Sequence, residues 1–298
     1  SDKEKSEGEK QIVELRRGKV GQNLVTFLRQ VYLLEIIGGI GVTCLGWVSC
    51  CLTGGSWLRS APLWLGGYLL VYNLDRLYCD PADRVNTPTR FLCRESLRPK
   101  RLIVIWLSVA MLIGWPGLTG RWWLIPLLGL VIAALQFYSR PLPYVRKRMK
   151  DLPVLKTFIA PALIAAVLVF WPVLELRRSL GFREILIFFW CLIILSVNSL
   201  SFDLRDIEGD VRTGTRTAAV LLGANGSVVF LGALALLAVL TSLMVGFHGA
   251  ADVLVPSSLV VGAALIFWAF FSHVQPLTLS FVADLFFFLP ALALLVGR

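Results

Sequence analysis

The chain has 298 residues, 57% of them hydrophobic and 16% charged, with a net charge of +10 and a mean hydropathy of +0.75. A soluble domain of this length needs far more polar surface, so the composition indicates an all-α, polytopic membrane protein. Two histidines exclude a histidine-rich metal centre, and six cysteines without paired metal spacing read as small membrane-buried side chains.

In chain order, residues 1–29 form a polar tail of mixed charge. Apolar positions recur at helical spacing from Ile12 to Leu28, which predicts a helix lying on the membrane surface. The first apolar run is too long, and the polar stretch before it too acidic, for a cleavable signal. From residue 30 to 298 the chain reads as one domain of nine apolar spans, at about 30–52, 61–77, 102–118, 122–139, 152–174, 184–202, 220–246, 252–272 and 277–297. Glycine, proline or charge separates them, as at Thr53-Gly54-Gly55 and Gly117-Leu118-Thr119-Gly120.

Basic residues fall on one side of this pattern. With the N-terminal tail taken as cytoplasmic, the tail and the even-numbered connections carry 23 of the 29 lysines and arginines; Arg59, Arg121, Arg177, Arg178, Arg183 and Arg298 lie opposite. Positive-inside bias of this size sets the orientation, supports an odd number of spans and assigns the excess charge to topology and to anions at that face rather than to nucleic acid. Trp57, Trp64, Trp115, Trp122, Trp123 and Trp171 fall near the expected outer ends, as an aromatic belt would.

Two acidic clusters emerge on the expected cytoplasmic face. The first follows the second span, YNLDRLYCDPADRVNTPTR over 72–90, with Asn73, Asp75, Asp80 and Asp83. The second follows the sixth span, NSLSFDLRDIEGDVRTGTRT over 198–217, with Asp203, Asp206 and Asp210. Spacings of three, four and seven residues put the three aspartates in a strip roughly 60° wide on a helix, costly in charge repulsion unless a cation sits there. Magnesium takes one or two protein carboxylates and completes its shell with water and substrate phosphate, so the pattern predicts a metal–phosphate site at a membrane surface. Each cluster precedes an Arg/Thr-rich segment, Thr87-Pro88-Thr89-Arg90 or Gly214-Thr215-Arg216-Thr217, which hints at a parallel internal duplication. Glu35 and Asp284 also lie inside apolar runs, where ionisable groups mean function or pairing.

These residues resemble the UbiA superfamily of intramembrane prenyltransferases. DLRDIEGDVRTGTRTAAVLLG, from Asp203 to Gly223, is similar to that family's second aspartate-rich motif with its trailing Gly-x-x-Thr. The stretch from Asp83 to Arg90 resembles the tail of the first motif, and Tyr138-Ser139, Pro141 and the basic run to Lys156 resemble the loop between the fourth and fifth helices. The first motif departs from the family's Asn-Asp-x-x-Asp-x-x-x-Asp: here acids stand at 75, 80 and 83 after Asn73, and Pro81 falls inside the helix that would carry them.

The resemblance implies a magnesium-dependent transfer of an isoprenyl chain from its diphosphate to an aromatic, quinone-precursor, tetrapyrrole or lipid-type acceptor. It implies metal binding by Asn73, Asp75, Asp80, Asp83, Asp203, Asp206 and Asp210, with Asp80, Asp206, Asp210 and Tyr138 catalytic. Arg90, Lys150, Lys156 and Arg216 would contact the diphosphate. The partners expected are a prenyl diphosphate, a hydrophobic or amphipathic acceptor and the bilayer, and the expected location is a bacterial inner membrane. The alternative is a divergent, non-catalytic member acting as a transporter or scaffold. The CDP-alcohol phosphotransferases also cluster aspartates in membrane helices, but their D-G-x-x-A-R signature is absent from this sequence.

Overall fold

The computed structural model describes residues 26–77, 83–139 and 155–298, giving the backbone alone at 83, 84, 89, 90, 135–139, 155 and 156. The described chain is helical throughout its regular structure. Residues 26–33 are helical, and there follow α1 (Ile36–Thr53), α2 (Trp57–Asp75), the short α3 (Asp83–Asn86) and α4 (Pro88–Leu92), α5 (Arg94–Leu118) and α6 (Leu124–Ser139). Then come α7 (Leu155–Glu175), α8 (Phe182–Thr213), α9 (Ala218–Val245), α10 (Ala251–Phe271) and α11 (Pro276–Gly297). The surface helix expected over 12–28 lies almost wholly outside the described residues.

Each of the nine expected spans overlaps a helix of 16 residues or more, the first being broken at 34–35, and seven of these helices are long and apolar enough to cross a bilayer. The other two are α2 and α6. Along 19 residues α2 carries Arg59, Asn73 and Asp75, and α6 has only 16 residues, so neither meets the length and hydropathy of a spanning helix on its own.

The bundle is organised around α8, whose apolar half packs on α1, α7, α9 and α11, with Trp190, Cys191, Ile194 and Leu200 fully buried. Large apolar side chains face outward, among them Trp106, Leu107, Val229 and Trp268. Inside lie Ser49, Asn73, Arg101, Asp203, Asp210 and Asp284. An apolar exterior around buried polar groups is the arrangement that hydrocarbon as solvent requires. Two of the tryptophans assigned to an interfacial belt belong to this interior: Trp64 and Trp171 are each 3% exposed, whereas Trp57, Trp122 and Trp123 remain exposed.

A break in the helical path just before α1 shapes the acidic end. Glu35 has a left-handed backbone, φ 63°, uncommon for a residue with a Cβ, and it separates the helix over 26–33 from α1. Such a break strips carbonyls of their helical donors. Buried side chains supply replacements: Asn73 Nδ2 donates to the Leu34 carbonyl at 3.0 Å, and Arg101 Nη2 donates to that of Leu33 at 3.1 Å. The Arg76 Nε donates to Glu35 Oε1 at 3.2 Å. The end of α2 is thereby fastened to the start of α1.

Candidate metal–diphosphate site

The second aspartate cluster rides on one uninterrupted helix. α8 runs through Asp203, Asp206 and Asp210 to Thr213, so helical spacing sets their directions. Asp203 and Asp210 differ by about 20° around the axis, while Asp206 stands about 60° from Asp203. Both Asp203 and Asp210 are buried. Thr157 of α7 donates its hydroxyl to Asp203 Oδ2 at 2.9 Å, fixing that carboxylate against the next helix. Asp206 is held differently: Arg205 grips it through Nε and Nη2, both at 2.6 Å, and the same guanidinium reaches Ser280 on α11. Arg205 also lies 5.1 Å from the Phe202 ring centroid, a cation–π contact that steadies the guanidinium.

The Gly-x-x-Thr tail has a plain structural reading. Gly214 takes φ 73°, and its N–H turns back onto the carbonyls of Asp210 and Val211. This left-handed stop favours glycine and ends α8 one turn past Asp210. Thr217 then caps α9, its side chain accepting from the Val220 N–H at 3.2 Å. The motif therefore contains the punctuation that turns the chain directly after its last carboxylate.

The first cluster is divided among separate elements. α2 stops at Asp75, with Arg76 as its cap and Leu77 in a turn, so the regular helix that would put Asn73 and Asp80 on one face does not continue past Asp75. Asn73 is fully buried, and its Nδ2 also donates to the Leu69 carbonyl at 2.9 Å; Oδ1 has no hydrogen-bond partner among the described residues. Asp75 lies at the helix end, 3.9 Å from Arg76 Nη1. Asp80 falls outside the described residues, and Asp83 opens α3 with only its backbone given.

What joins the two motifs is a pair that spacing did not single out. Asn86, at the end of α3, is buried and accepts the Gly209 N–H at 2.8 Å. A Cβ at 209 would penetrate the Asn86 amide, so the approach of α3 to α8 demands glycine between Glu208 and Asp210. The tail of the first motif is thus seated against the second, one residue from Asp210.

Of the remaining expected site residues, Lys150 lies outside the described residues, and the side chains of Arg90, Tyr138 and Lys156 do so as well. Arg216 is exposed in the turn between α8 and α9. Thr157, Asn86, Gly209, Arg205 and Ser280 were missed by sequence reasoning. Asn86 and Gly209 lie inside the motif stretches, which is a signal; Thr157 and Ser280 carry none. Glu35 and Asp284 are both paired: Glu35 with Arg76, and Asp284 Oδ1 as acceptor of Asn198 Nδ2 at 3.2 Å.

The candidate donors on α2 and α8 are carboxylates and one amide oxygen, Asn73 Oδ1, that lacks a hydrogen-bond partner among the described residues. Hard oxygen ligands of this kind suit magnesium, and a buried Oδ1 without a donor is what a cation or ordered water would satisfy. The residues present fit such an ion, although among the described residues no three acids, histidines or cysteines converge on one point.

Beside this end, α1, α2, α6 and α7 enclose an apolar cavity whose lining includes Val42, Trp64, Tyr68, Tyr72, Leu128 and Ile164. Tyr68 and Tyr72 stack within it, ring centroids 4.2 Å apart, and both lie within electrostatic reach of Glu35 and Asp284.

Residues 75–290 match the model of the UbiA prenyltransferase family. The fold is shared with the apo structure of a UbiA homolog from Aeropyrum pernix K1, at a TM-score of 0.62 and 15% identity, covering 88% of this chain and 98% of that one. No curated protein matches the chain by sequence.

Proposed function

Because the chain belongs to the UbiA prenyltransferase family, a family of multi-pass membrane transferases, we propose that it moves an isoprenyl chain from its diphosphate to an aromatic, quinone-precursor, tetrapyrrole or lipid-type acceptor, and that it requires magnesium. The observation that carries the reading is the Asn86–Gly209 contact, which seats the tail of one acidic motif against the other.

In this proposal Asn73, Asp75, Asp80, Asp83, Asp203, Asp206 and Asp210 hold the metal. When bound, magnesium neutralises the charge of the departing diphosphate and lowers the barrier to an allylic cation. The chain's own groups arrange for this. Thr157 orients the Asp203 carboxylate, and Arg205 holds Asp206 at a fixed rotamer. Arg90, Lys150, Lys156 and Arg216 are proposed to contact diphosphate oxygens, arginine through forked hydrogen bonds and lysine as a point charge.

The prenyl tail is assigned to the apolar cleft between α1, α2, α6 and α7, which has about 50 Å³ free and must widen to take a chain; each methylene then buried contributes roughly 0.8 kcal/mol. Tyr68 and Tyr72 line it, and their rings are proposed to face the developing cation. Tyr138, at the end of α6, is proposed for the same task. The acidic ends are assigned to the cytoplasmic face by the bias of basic residues, in a bacterial inner membrane, and nine helices are proposed to cross or line the bilayer.

One observation favours the alternative of a non-catalytic member serving as a transporter or scaffold. Asp206 is already neutralised by Arg205 at 2.6 Å, and it must exchange that partner before it can bind a metal. Purified protein given radiolabelled geranylgeranyl diphosphate, magnesium and a panel of acceptors separates the two readings. Labelled product that vanishes with a chelator is expected; no product with any acceptor, together with no magnesium-dependent binding of the diphosphate, would sink the enzyme reading.

A further inference from the structure

The opposite end of the bundle carries a site of the other sign. There α1 ends at Thr53, α8 begins at Phe182, and α9 and α11 end at Val245 and Gly297. Between them lies a cavity of about 370 Å³ whose polar lining includes Arg178, Arg183, Glu184, His248 and Arg298. Glu184 and Asp206 are separated by roughly 33 Å along α8, a bilayer's hydrocarbon thickness, so this cavity and the acidic motifs face opposite interfaces.

Three arginines here run against the trend of the whole sequence. Only six basic residues fall on this side of the topology, and half of them line one cavity. A lone arginine at a helix end is explained by its reach to lipid headgroups, but three exposed arginines around one cavity concentrate positive charge that attracts an anion. The protein sets one carboxylate, Glu184, against these three guanidinium groups. Among the described residues none of Arg178, Arg183 and Arg298 forms an ion pair, whereas Arg121 at the same end pairs with Glu175 at 2.8 Å. Glu184 Oε2 accepts the Gly181 N–H at 3.0 Å as part of the cap of α8, and its single negative charge leaves the lining net positive.

Two of the guanidinium groups are also held in place. Arg178 Nη1 donates to the Thr53 carbonyl at 3.2 Å, and Arg298 lies over the Trp47 ring at 5.5 Å. Each contact leaves further N–H groups unassigned. Phe247 and Leu294, both buried, form an apolar floor. Pre-positioned forks above an apolar floor match a phosphate oxygen set attached to a lipophilic or glycerol-like stem.

We propose that this cavity binds a phosphate-bearing anion, its phosphate held by Arg178, Arg183 and Arg298. The source is either an anionic phospholipid headgroup of that leaflet or a free phosphate in solution. The site is separate from the acidic end and does not depend on what reaction occurs there.

The test uses the full chain in nanodiscs of phosphatidylcholine with and without phosphatidylglycerol, read by native mass spectrometry and thermal unfolding. A lipid source predicts that phosphatidylglycerol is retained and raises the unfolding midpoint. Arg178→Gln/Arg183→Gln should weaken that retention by roughly tenfold or more, as loss of charge-assisted pairs to phosphate implies. Arg59→Gln, exposed at the same end but outside the cavity, should leave it unchanged. A solution source predicts instead that inorganic phosphate, against chloride at equal ionic strength, protects the wild type in detergent and not the double variant, with no lipid preference. Equal lipid retention by wild type and double variant, with no phosphate protection in either, would overturn the proposal. Should the double variant not fold, Arg298→Gln decides alone, since that side chain donates no described hydrogen bond to another residue's backbone: reduced retention or protection supports the site, and none overturns it.

Discussion

The two acidic motifs carry comparable residues on contrasting scaffolds. The second lies on the last three turns of α8, a helix without interruption from Phe182 to Thr213, so its seven-residue spread translates into a known set of directions. The first begins at the end of α2, leaves the helix after Asp75 and resumes in the four-residue α3. There the distance between two acids in sequence says little about their distance in space. Regular structure converts spacing into geometry, and a helix end cancels the conversion. The contrast also assigns different duties: α8 supplies direction, whereas the first motif attaches its neighbours through Asn73 to Leu34 and Asn86 to Gly209.

The largest effect should come from the second motif. Asp210→Asn, which keeps shape and burial while removing charge, is expected to lower turnover more than about a hundredfold while leaving membrane insertion intact; labelled-product assays beside size-exclusion profiles would check it. Asp206→Asn is expected to do the same, and full residual activity in both would remove the metal role. A comparable test of the first motif is Gly209→Ala, which breaks the contact between motifs from the α8 side. The added methyl meets the Asn86 amide, so overpacking should destabilise the protein by about 1–3 kcal/mol and reduce turnover by displacing α3. Thermal unfolding and activity at saturating magnesium would read the two parts separately.

How much of this was legible follows from the same contrast. The nine apolar runs and the direction of the second motif's carboxylates arise from local periodicity, which sequence encodes directly; the stop at Gly214 and the cap at Thr217 went unread although both are local signals. The limits of α2 were not legible, because Pro81 suggested a break inside the motif whereas the helix stops at Asp75, six residues earlier. Cross-helix partners were not legible either. Thr157 meets Asp203, and Ser280 meets Arg205, only because α7 and α11 pack on α8, and nothing in a threonine's or a serine's own neighbourhood announces that. Trp64 and Trp171 looked like belt residues from their place near span ends, yet packing between helices buries both.

A smaller effect probes the break before α1. Asn73→Ala removes the donor to the Leu34 carbonyl, which lost its helical partner where Glu35 turns left-handed. A buried carbonyl without a donor should lower stability by about 1–2 kcal/mol, visible as a lower unfolding midpoint in the absence of any substrate. If Asn73 is also a metal ligand, magnesium should stabilise the wild type more than the variant; equal stabilisation would confine Asn73 to its structural task.

The smallest single effect is expected from Asn86→Ala, and it is the most informative in combination. Alone it deletes the side-chain acceptor of the Gly209 N–H, and Gly209 lies inside α8, so the net loss should be about 0.5–1.5 kcal/mol. The clash in Gly209→Ala comes from the Asn86 side chain itself. Removing that side chain should therefore relieve the overpacking, making the Gly209→Ala/Asn86→Ala double variant less destabilised than the two single changes added together. Strict additivity would mean that α3 and α8 do not meet at this point in the folded protein. The two motifs would then have no described link between them, and a shared metal–diphosphate site would lose the contact on which it rests.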